Sequence, residues 1–355
     1  MQAIEISTFT ADPSTLKPSR VPIPKPKQNE CLIRITHCSP QHADILHAQG
    51  KHQNTHPKKG NVHPPFILGY DFAGVVAQAP SSSSPPSTTS TSRKPITGFE
   101  QGDRVFGQAI GAFAEYIAVQ ASRIRRIPDS VDSATACAAS GQAVSYAAVT
   151  NVAKVQREDT VLVSGASGGL GSACCAVAKA LGAKVIALAG DEGKAAAMLR
   201  DMDVDCVLVT DDEGRWVDDV VRWTGGKGVD VVLDNTGMVN QAIRCVAYAG
   251  TIVILGFAAR KGVMEEVKMN RLLLKSITLI GYRFGESGRR FPETLEEIWD
   301  GYLAMLAEGR LKPLSYSERY EGLADIGRAL GDLASRKMYG RVVVPVMQVS
   351  ETAKL

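Results

Sequence analysis

The chain has 355 residues, of which 45% are hydrophobic and 22% charged, and its formal net charge is +3. That length suits two domains of about 100 to 200 residues each, and the composition is that of an ordinary globular protein. The basic residues are scattered apart from Arg123, Arg125 and Arg126, which excludes a nucleic-acid footprint, and no run of about 18 uninterrupted apolar residues marks a membrane span.

The N-terminus, Met1-Gln2-Ala3-Ile4-Glu5, lacks the charged-then-apolar order of a secretory signal, so a cytoplasmic location is expected. Short β patterns follow at 31–36, 72–79, 104–106 and 113–119, and they predict an irregular β domain over residues 1–141. A Ser/Thr/Pro tract at 80–98 interrupts it. With too little apolar surface to order itself, the tract is expected to be a surface insertion between two strands.

From Gln142 the texture changes to alternating strands and helices, which predicts a parallel sheet with right-handed crossovers over residues 142–285. Strands are expected at 160–163, 184–189, 206–209, 229–233, 251–255 and 278–281, with helices at 172–181, 193–201 and 240–248. Between the first strand and its helix lies Ser164-Gly165-Ala166-Ser167-Gly168-Gly169-Leu170-Gly171. Small residues there let the backbone bend off the strand and approach a pyrophosphate, which meets the free N–H groups of the helix that follows. A glycine motif alone is weak evidence, but strand and helix flank this one as a dinucleotide-binding turn requires.

The last segment, 286–355, reads as two amphipathic helices at 292–308 and 323–335 and a strand at 342–346 that returns to the N-terminal β domain. This arrangement would leave a cleft between the two units. The expected fold class is α/β: a Rossmann doubly wound parallel sheet plus a β-rich domain. The seven cysteines, an odd number in mostly apolar settings, predict reduced buried thiols rather than a disulfide framework.

The sequence resembles the medium-chain dehydrogenase/reductase superfamily, and within it the zinc-independent quinone oxidoreductase-like branch that includes the zeta-crystallins and enoyl reductases. The resemblance rests on Leu68-Gly69-Tyr70-Asp71-Phe72-Ala73-Gly74, Gly102-Asp103-Arg104-Val105-Phe106-Gly107, Gly111-Ala112-Phe113-Ala114-Glu115-Tyr116 and the glycine turn. It extends to Gly228-Val229-Asp230-Val231-Val232-Leu233-Asp234, Leu272-Leu273-Leu274-Lys275 and Tyr339-Gly340-Arg341-Val342-Val343. Only the insertion and residues 51–65 fall outside it. The resemblance implies a GroES-like catalytic domain, split in sequence, around a central Rossmann domain, and a homodimer whose last Rossmann strand, 278–281, pairs across the interface.

Zinc-dependent relatives hold a catalytic metal with two cysteines and a histidine, and the matching positions here are Gln41, Tyr70 and Ser140. An amide, a phenol and a hydroxyl do not bind Zn²⁺ as thiolate and imidazole do, so no metal is expected. Hydride transfer then needs an acceptor that delocalises the incoming charge itself, a quinone or an alkene conjugated to a carbonyl. All six histidines lie between His37 and His63. Their five-residue recurrence at His37, His42, His47 and His52 matches neither a helix face nor a strand face, so they are expected to be solvated loop residues.

Relatives that use NADPH place a lysine where Lys194 stands, and Ala189 occupies the place of the acidic residue typical of NAD-specific sheets. NADPH is therefore the expected cofactor, although Asp191 lies nearby and Thr210 replaces a frequent tyrosine. The expected cofactor-binding residues are Ser167, Gly168, Gly169, Leu170, Gly190, Lys194, Thr210, Asn235, Thr236, Leu255, Gly256, Phe257, Phe284 and Arg341. Tyr70 is the first candidate for the proton donor, Gln41 would orient the substrate carbonyl or the nicotinamide ribose, and Asp44 would belong to the same polar network. The expected function is NADPH-dependent reduction of a quinone or an activated alkene. A zinc-free alcohol or carbonyl oxidoreductase and a non-catalytic NADPH-binding protein are the alternatives.

Overall fold

The computed structural model describes residues 1–80, 98–211, 213–258 and 264–346. The Ser/Thr/Pro insertion predicted from the sequence lies almost wholly outside the described residues. By its contacts the chain divides into two compact units, Met1–Gly141 with Ser315–Leu355, and Gln142–Leu314.

The first unit is built on β1 (Glu30–Ser39). Cys31, Ile33 and Ile35 are buried on one side of it while Arg34 is exposed on the other, the alternation of a half-buried strand. A register shift between Ile35 and His37 then turns Cys38 inward. After β1 come α1 (His42–Ala48), β2 (Asp71–Gln78), β3 (Arg104–Gln108), β4 (Tyr116–Gln120), β5 (Ile124–Arg126) and α2 (Ser133–Ala139). The strands form an antiparallel sheet in which β1 pairs with β2 and β4, β2 with β3, and β3 with β5. The sequence pattern had not marked β5.

The second unit runs α3 (Ala143–Ala147), β6 (Thr160–Val163), α4 (Gly169–Ala180), β7 (Lys184–Ala189), α5 (Glu192–Asp201), β8 (Cys206–Val209) and α6 (Trp216–Trp223). It continues through β9 (Val229–Asp234), α7 (Val239–Cys245), β10 (Val246–Ile254), α8 (Met269–Lys275), β11 (Thr278–Gly281), α9 (Phe284–Arg290) and α10 (Pro292–Ala307). Its sheet is parallel, in the order β8-β7-β6-β9-β10-β11. Numbered within the sheet this is 3-2-1-4-5-6, the doubly wound dinucleotide-binding order. Val185, Ile186, Ala187, Leu188 and Ala189 are all buried along β7, as expected of a strand covered by helices on both faces.

Two expectations are corrected here. The helix expected at 240–248 stops at Cys245, and Val246, Ala247 and Tyr248 open β10, where Val246 pairs with Val229. Residues 286–314 cluster with the parallel-sheet unit rather than with the C-terminal segment. The reason is aromatic packing: Tyr302 on α10 meets Tyr146 of α3 edge-on at 6.0 Å and Trp299 at 5.9 Å, and its hydroxyl donates to Gln142 Oε1 at 3.4 Å.

The chain then returns to the first unit through α11 (Ile326–Ala334) and β12 (Val344–Pro345). Val344 pairs with Cys38 on β1, and Ile326, Leu330 and Val344 complete a core with Ile4, Ile33, Phe72 and Phe113. All seven cysteines are free thiols, and all but the half-buried Cys206 are buried. Among the described residues no helix is long and apolar enough to cross a membrane.

Candidate functional site

The strand order of the parallel sheet reverses between β6 and β9, and the carboxyl ends of these strands are where a ligand binds in such a sheet. After β6 the chain turns through Gly165, whose φ of +59° favours glycine. A Cβ on Gly171 would lie 2.3 Å from the Gly165 carbonyl oxygen, so α4 packs against its own entry turn at a distance that only glycine permits. Gly168 is the N-cap of α4 and no side chain caps the helix. The first-turn amides, including those of Gly169 and Leu170, are thus left for an anion. Ser167 is half-buried beside them, and Leu170 is exposed.

Asp234, at the end of β9, locks the two strand tips together. Its buried carboxylate accepts from Ser164 Oγ at 2.6 Å and from the amides of Thr236, Gly237 and Met238 at 2.7–3.0 Å. Asn235 donates from its backbone to Ser164 Oγ and from Nδ2 to the Ser164 carbonyl, while Thr236 Oγ1 donates to Ser164 Oγ. Asn235 Oδ1 is buried without a hydrogen bond among the described residues. Leu255 and Gly256 are drawn to the same place by amide bonds to the Asp234 carbonyl at 2.8 and 3.2 Å. Phe257 follows, exposed. Phe284, at the start of α9, packs edge-on against Tyr282 at 6.4 Å.

At the tip of β7, Ala189 is buried and Gly190 is exposed, with no atom within 4 Å of where its Cβ would stand. Thr210 Oγ1, at the end of neighbouring β8, donates to the Ala189 carbonyl at 3.2 Å. Asp191 caps α5 by accepting from Lys194 N–H at 2.8 Å, and its carboxylate lies 3.3 Å from Lys194 Nζ. The amide bond and then the ammonium hold the Asp191 carboxyl below its ordinary range. A glycine cradle, an uncapped helix start, an unpartnered buried amide oxygen and a lysine at the second strand tip together fit a dinucleotide.

In the first unit a buried charged cluster gathers three elements. Asp71, at the start of β2, forms an ion pair with Arg341 and accepts from Gln108 Nε2 at 2.7 Å. Both charges are buried, and Arg341 Nε has no hydrogen bond among the described residues. Asp44, on α1, is buried too. Its Oδ2 accepts from Gln41 N–H at 2.8 Å, and its Oδ1 is without a partner among the described residues. Burial pushes the Asp44 carboxyl well above its ordinary range against the Gln41 bond, and the Asp71 charge adds to the shift while Arg341 opposes it.

Half-buried Tyr70 lies parallel to the His47 ring, with centroids 6.5 Å apart, and His47 stacks on His52 at 3.9 Å. The expectation of solvated loop histidines is corrected at three positions: His37 is half-buried on β1, His42 opens α1, and His47, also on α1, is 1% exposed. Its Nδ1 bonds the Ala43 carbonyl at 2.8 Å, which fixes the Nδ1–H tautomer and leaves Nε2 an acceptor, buried and unpartnered among the described residues. Burial pushes this imidazole down from its ordinary value. Ser140 is fully buried, with its hydroxyl turned back to the Cys137 carbonyl at 2.8 Å. Among the described residues no group of three or more His, Cys, Asp or Glu is arranged to hold a metal ion.

The sequence reading singled out Tyr70, Gln41 and Asp44, and Gln41 and Asp44 do come together at the start of α1. It did not single out His47, Gln108 or the locking role of Asp234. Asp71 carried a readable signal as a lone acid beside an otherwise apolar strand run, and Asp234 as the acid that ends the apolar run Val231-Val232-Leu233.

A parallel sheet in this order with a glycine turn at its switch point, covalently joined to an antiparallel β unit, defines a two-unit dinucleotide-binding protein. Comparison with known proteins narrows the class. Residues 27–129 match the family model for the alcohol dehydrogenase GroES-like domain, and residues 169–300 match that for zinc-binding dehydrogenase. The chain is 30% identical to quinone oxidoreductase-like protein 2 of Bos taurus over 330 residues, which cover 90% of this chain and 86% of that one. A probable oxidoreductase from Mycobacterium abscessus superposes with a TM-score of 0.81 at 31% identity, over 97% of this chain and 98% of the other. A mycobacterial protein solved in complex with NADPH does so at 0.77 and 28%, over 97% and 100%. The chain belongs to the medium-chain dehydrogenase/reductase superfamily, in its quinone oxidoreductase-like branch.

Proposed function

We propose that this protein is a zinc-independent, NADPH-dependent oxidoreductase that reduces quinones or alkenes conjugated to a carbonyl. The observation that carries the proposal is the donor set at the positions where zinc-dependent relatives bind metal: Gln41, Tyr70 and a Ser140 whose hydroxyl is committed to the Cys137 carbonyl. Such a set is a poor match for Zn²⁺. The name of the bovine relative and the NADPH held by the mycobacterial one support the reading. Bound NADPH supplies a hydride, and an acceptor that spreads the incoming charge over a conjugated system needs no Lewis acid.

The roles of the chain's own residues follow. The amides at the start of α4, with Ser167, Gly168, Gly169 and Leu170, hold the pyrophosphate. Lys194 holds the 2′-phosphate beside Gly190 and Thr210. Asn235, Thr236, Leu255, Gly256 and Phe257 line the dinucleotide, with Phe284 closing over it. Gln41 orients the substrate carbonyl, Tyr70 returns a proton to the reduced product, and Asp44 and Asp71 with Arg341 keep the α1 end of the first unit rigid. Cytoplasmic residence belongs to the same proposal. So does a homodimer formed through β11, which ends the sheet with β10 as its one partner strand among the described residues.

Purified protein should oxidise NADPH with quinones or cyclic enones at a rate unaffected by chelators and without stoichiometric zinc. Tight NADPH binding with no turnover across a broad acceptor panel would favour a non-catalytic nucleotide-binding protein instead.

A further inference from the structure

In a doubly wound sheet, the residues about 20 positions beyond the glycine turn read the 2′ position of the adenosine ribose. A carboxylate there accepts from a 2′-hydroxyl, and a cation there accommodates a 2′-phosphate. This chain places one of each in a single helical turn. Asp191 follows Gly190 directly, accepts from Lys194 N–H at 2.8 Å and stands 3.3 Å from Lys194 Nζ. The Asp191 side chain is 55% exposed and that of Lys194 is 16% exposed, so the acid is the more open of the pair.

The cap alone does not call for a carboxylate. Serine, threonine and asparagine accept the same amide bond at an N-cap. What the second oxygen adds is a charge on the one lysine proposed to receive the 2′-phosphate. A phosphate arriving there must share or take the Lys194 ammonium and must approach a like-charged neighbour. A 2′-hydroxyl, in contrast, meets an acceptor and displaces nothing. The open space around Gly190 gives either ribose room to reach the pair.

Resting on the reading of NADPH as cofactor, we propose that Asp191 is a specificity-determining residue that narrows the preference for NADPH over NADH. Because the Asp191 carboxylate is solvent-exposed, its effect is modest, about fivefold in relative affinity. The protein then accepts both cofactors within a small ratio, and Lys194 favours one while Asp191 favours the other.

The test is calorimetric binding of 2′,5′-ADP, 5′-AMP, NADPH and NADH to the full-length protein and to Asp191→Asn, which keeps the cap and removes the charge. The variant should bind 2′,5′-ADP and NADPH about fivefold more tightly, with 5′-AMP unchanged and NADH unchanged or weaker. Lys194→Ala should abolish the distinction between 2′,5′-ADP and 5′-AMP. An equal effect of Asp191→Asn on phosphorylated and unphosphorylated ligands would overturn the proposal while leaving the NADPH reading intact. Tight binding of 2′,5′-ADP by the variant but not by the parent would support the role of Asp191 and overturn NADPH as the natural cofactor. If neither protein separates 2′,5′-ADP from 5′-AMP, both readings fall.

Discussion

Asp44 is a carboxyl group folded into a site that disfavours its charge. The group is fully buried, one oxygen accepts the Gln41 amide, the other has no partner among the described residues, and Asp71 stands near. Its folded pKa is raised above that of the unfolded chain, so the folded form binds the proton more tightly. The stability this contributes is fully present below the ordinary carboxylate pKa and is lost as pH rises through the raised value. Asn at this position keeps an oxygen for the Gln41 amide and does not titrate. The melting temperature of Asp44→Asn relative to the parent should therefore climb as pH rises across the range above the ordinary carboxylate pKa. A difference that stays flat over that range would show that Asp44 is not held protonated by the fold. The sequence reading places Asp44 in a polar network with Gln41 and Tyr70, but its burial was not legible there. Burial by the α1 turn and the facing Asp71 exist only once β1, β2 and the C-terminal return have assembled.

At the scale of elements, the turn from β6 into α4 is the part that the sequence displayed most openly. The small residues there have one structural reading, and the geometry supplies the reason position by position. A Cβ at Gly171 would press to 2.3 Å on the Gly165 oxygen and 2.7 Å on the Ala166 Cα, both backbone atoms that cannot yield. One at Gly168 would meet the Gly165 oxygen at 3.4 Å, an ordinary contact. Gly171→Ala should then cost about 1–3 kcal/mol of stability or more, measured by chemical denaturation. Gly168→Ala should fold normally. Equal stability of the two variants would contradict this account of the turn. The strand runs of the parallel sheet were equally readable because burial on both faces makes them continuously apolar. The end of α7 was not, since Val246, Ala247 and Tyr248 suit a helix locally and are claimed for β10 by pairing with Val229. Residues 292–307 show a similar limit. Their helical pattern is plain, but the Tyr146–Tyr302–Trp299 packing that ties them to the parallel-sheet unit joins residues about 150 positions apart and leaves no local trace.

For the whole molecule, the open edge of the parallel sheet and the helix before it carry the prediction of assembly. Leu273 and Leu274 on α8 are 79% and 74% exposed, Met269 is 70% exposed, and no α8 residue is buried. Apolar surface of this kind beside an unpaired strand edge is a recognised site of association. Sedimentation should show a dimer, and Leu273→Asp combined with Leu274→Asp should shift it toward monomer. A parent protein that sediments as a monomer at all concentrations would remove the homodimer from the account.

The central claim is that electrons pass from NADPH to a conjugated acceptor with no metal ion. Supplying 4-deuterated NADPH and a cyclic enone to chelator-treated protein, then locating the label in the product by NMR, tests this most directly. The account predicts a saturated ketone with deuterium on the β-carbon. An allylic alcohol labelled at the carbinol carbon, or activity that returns only with added Zn²⁺, would contradict it.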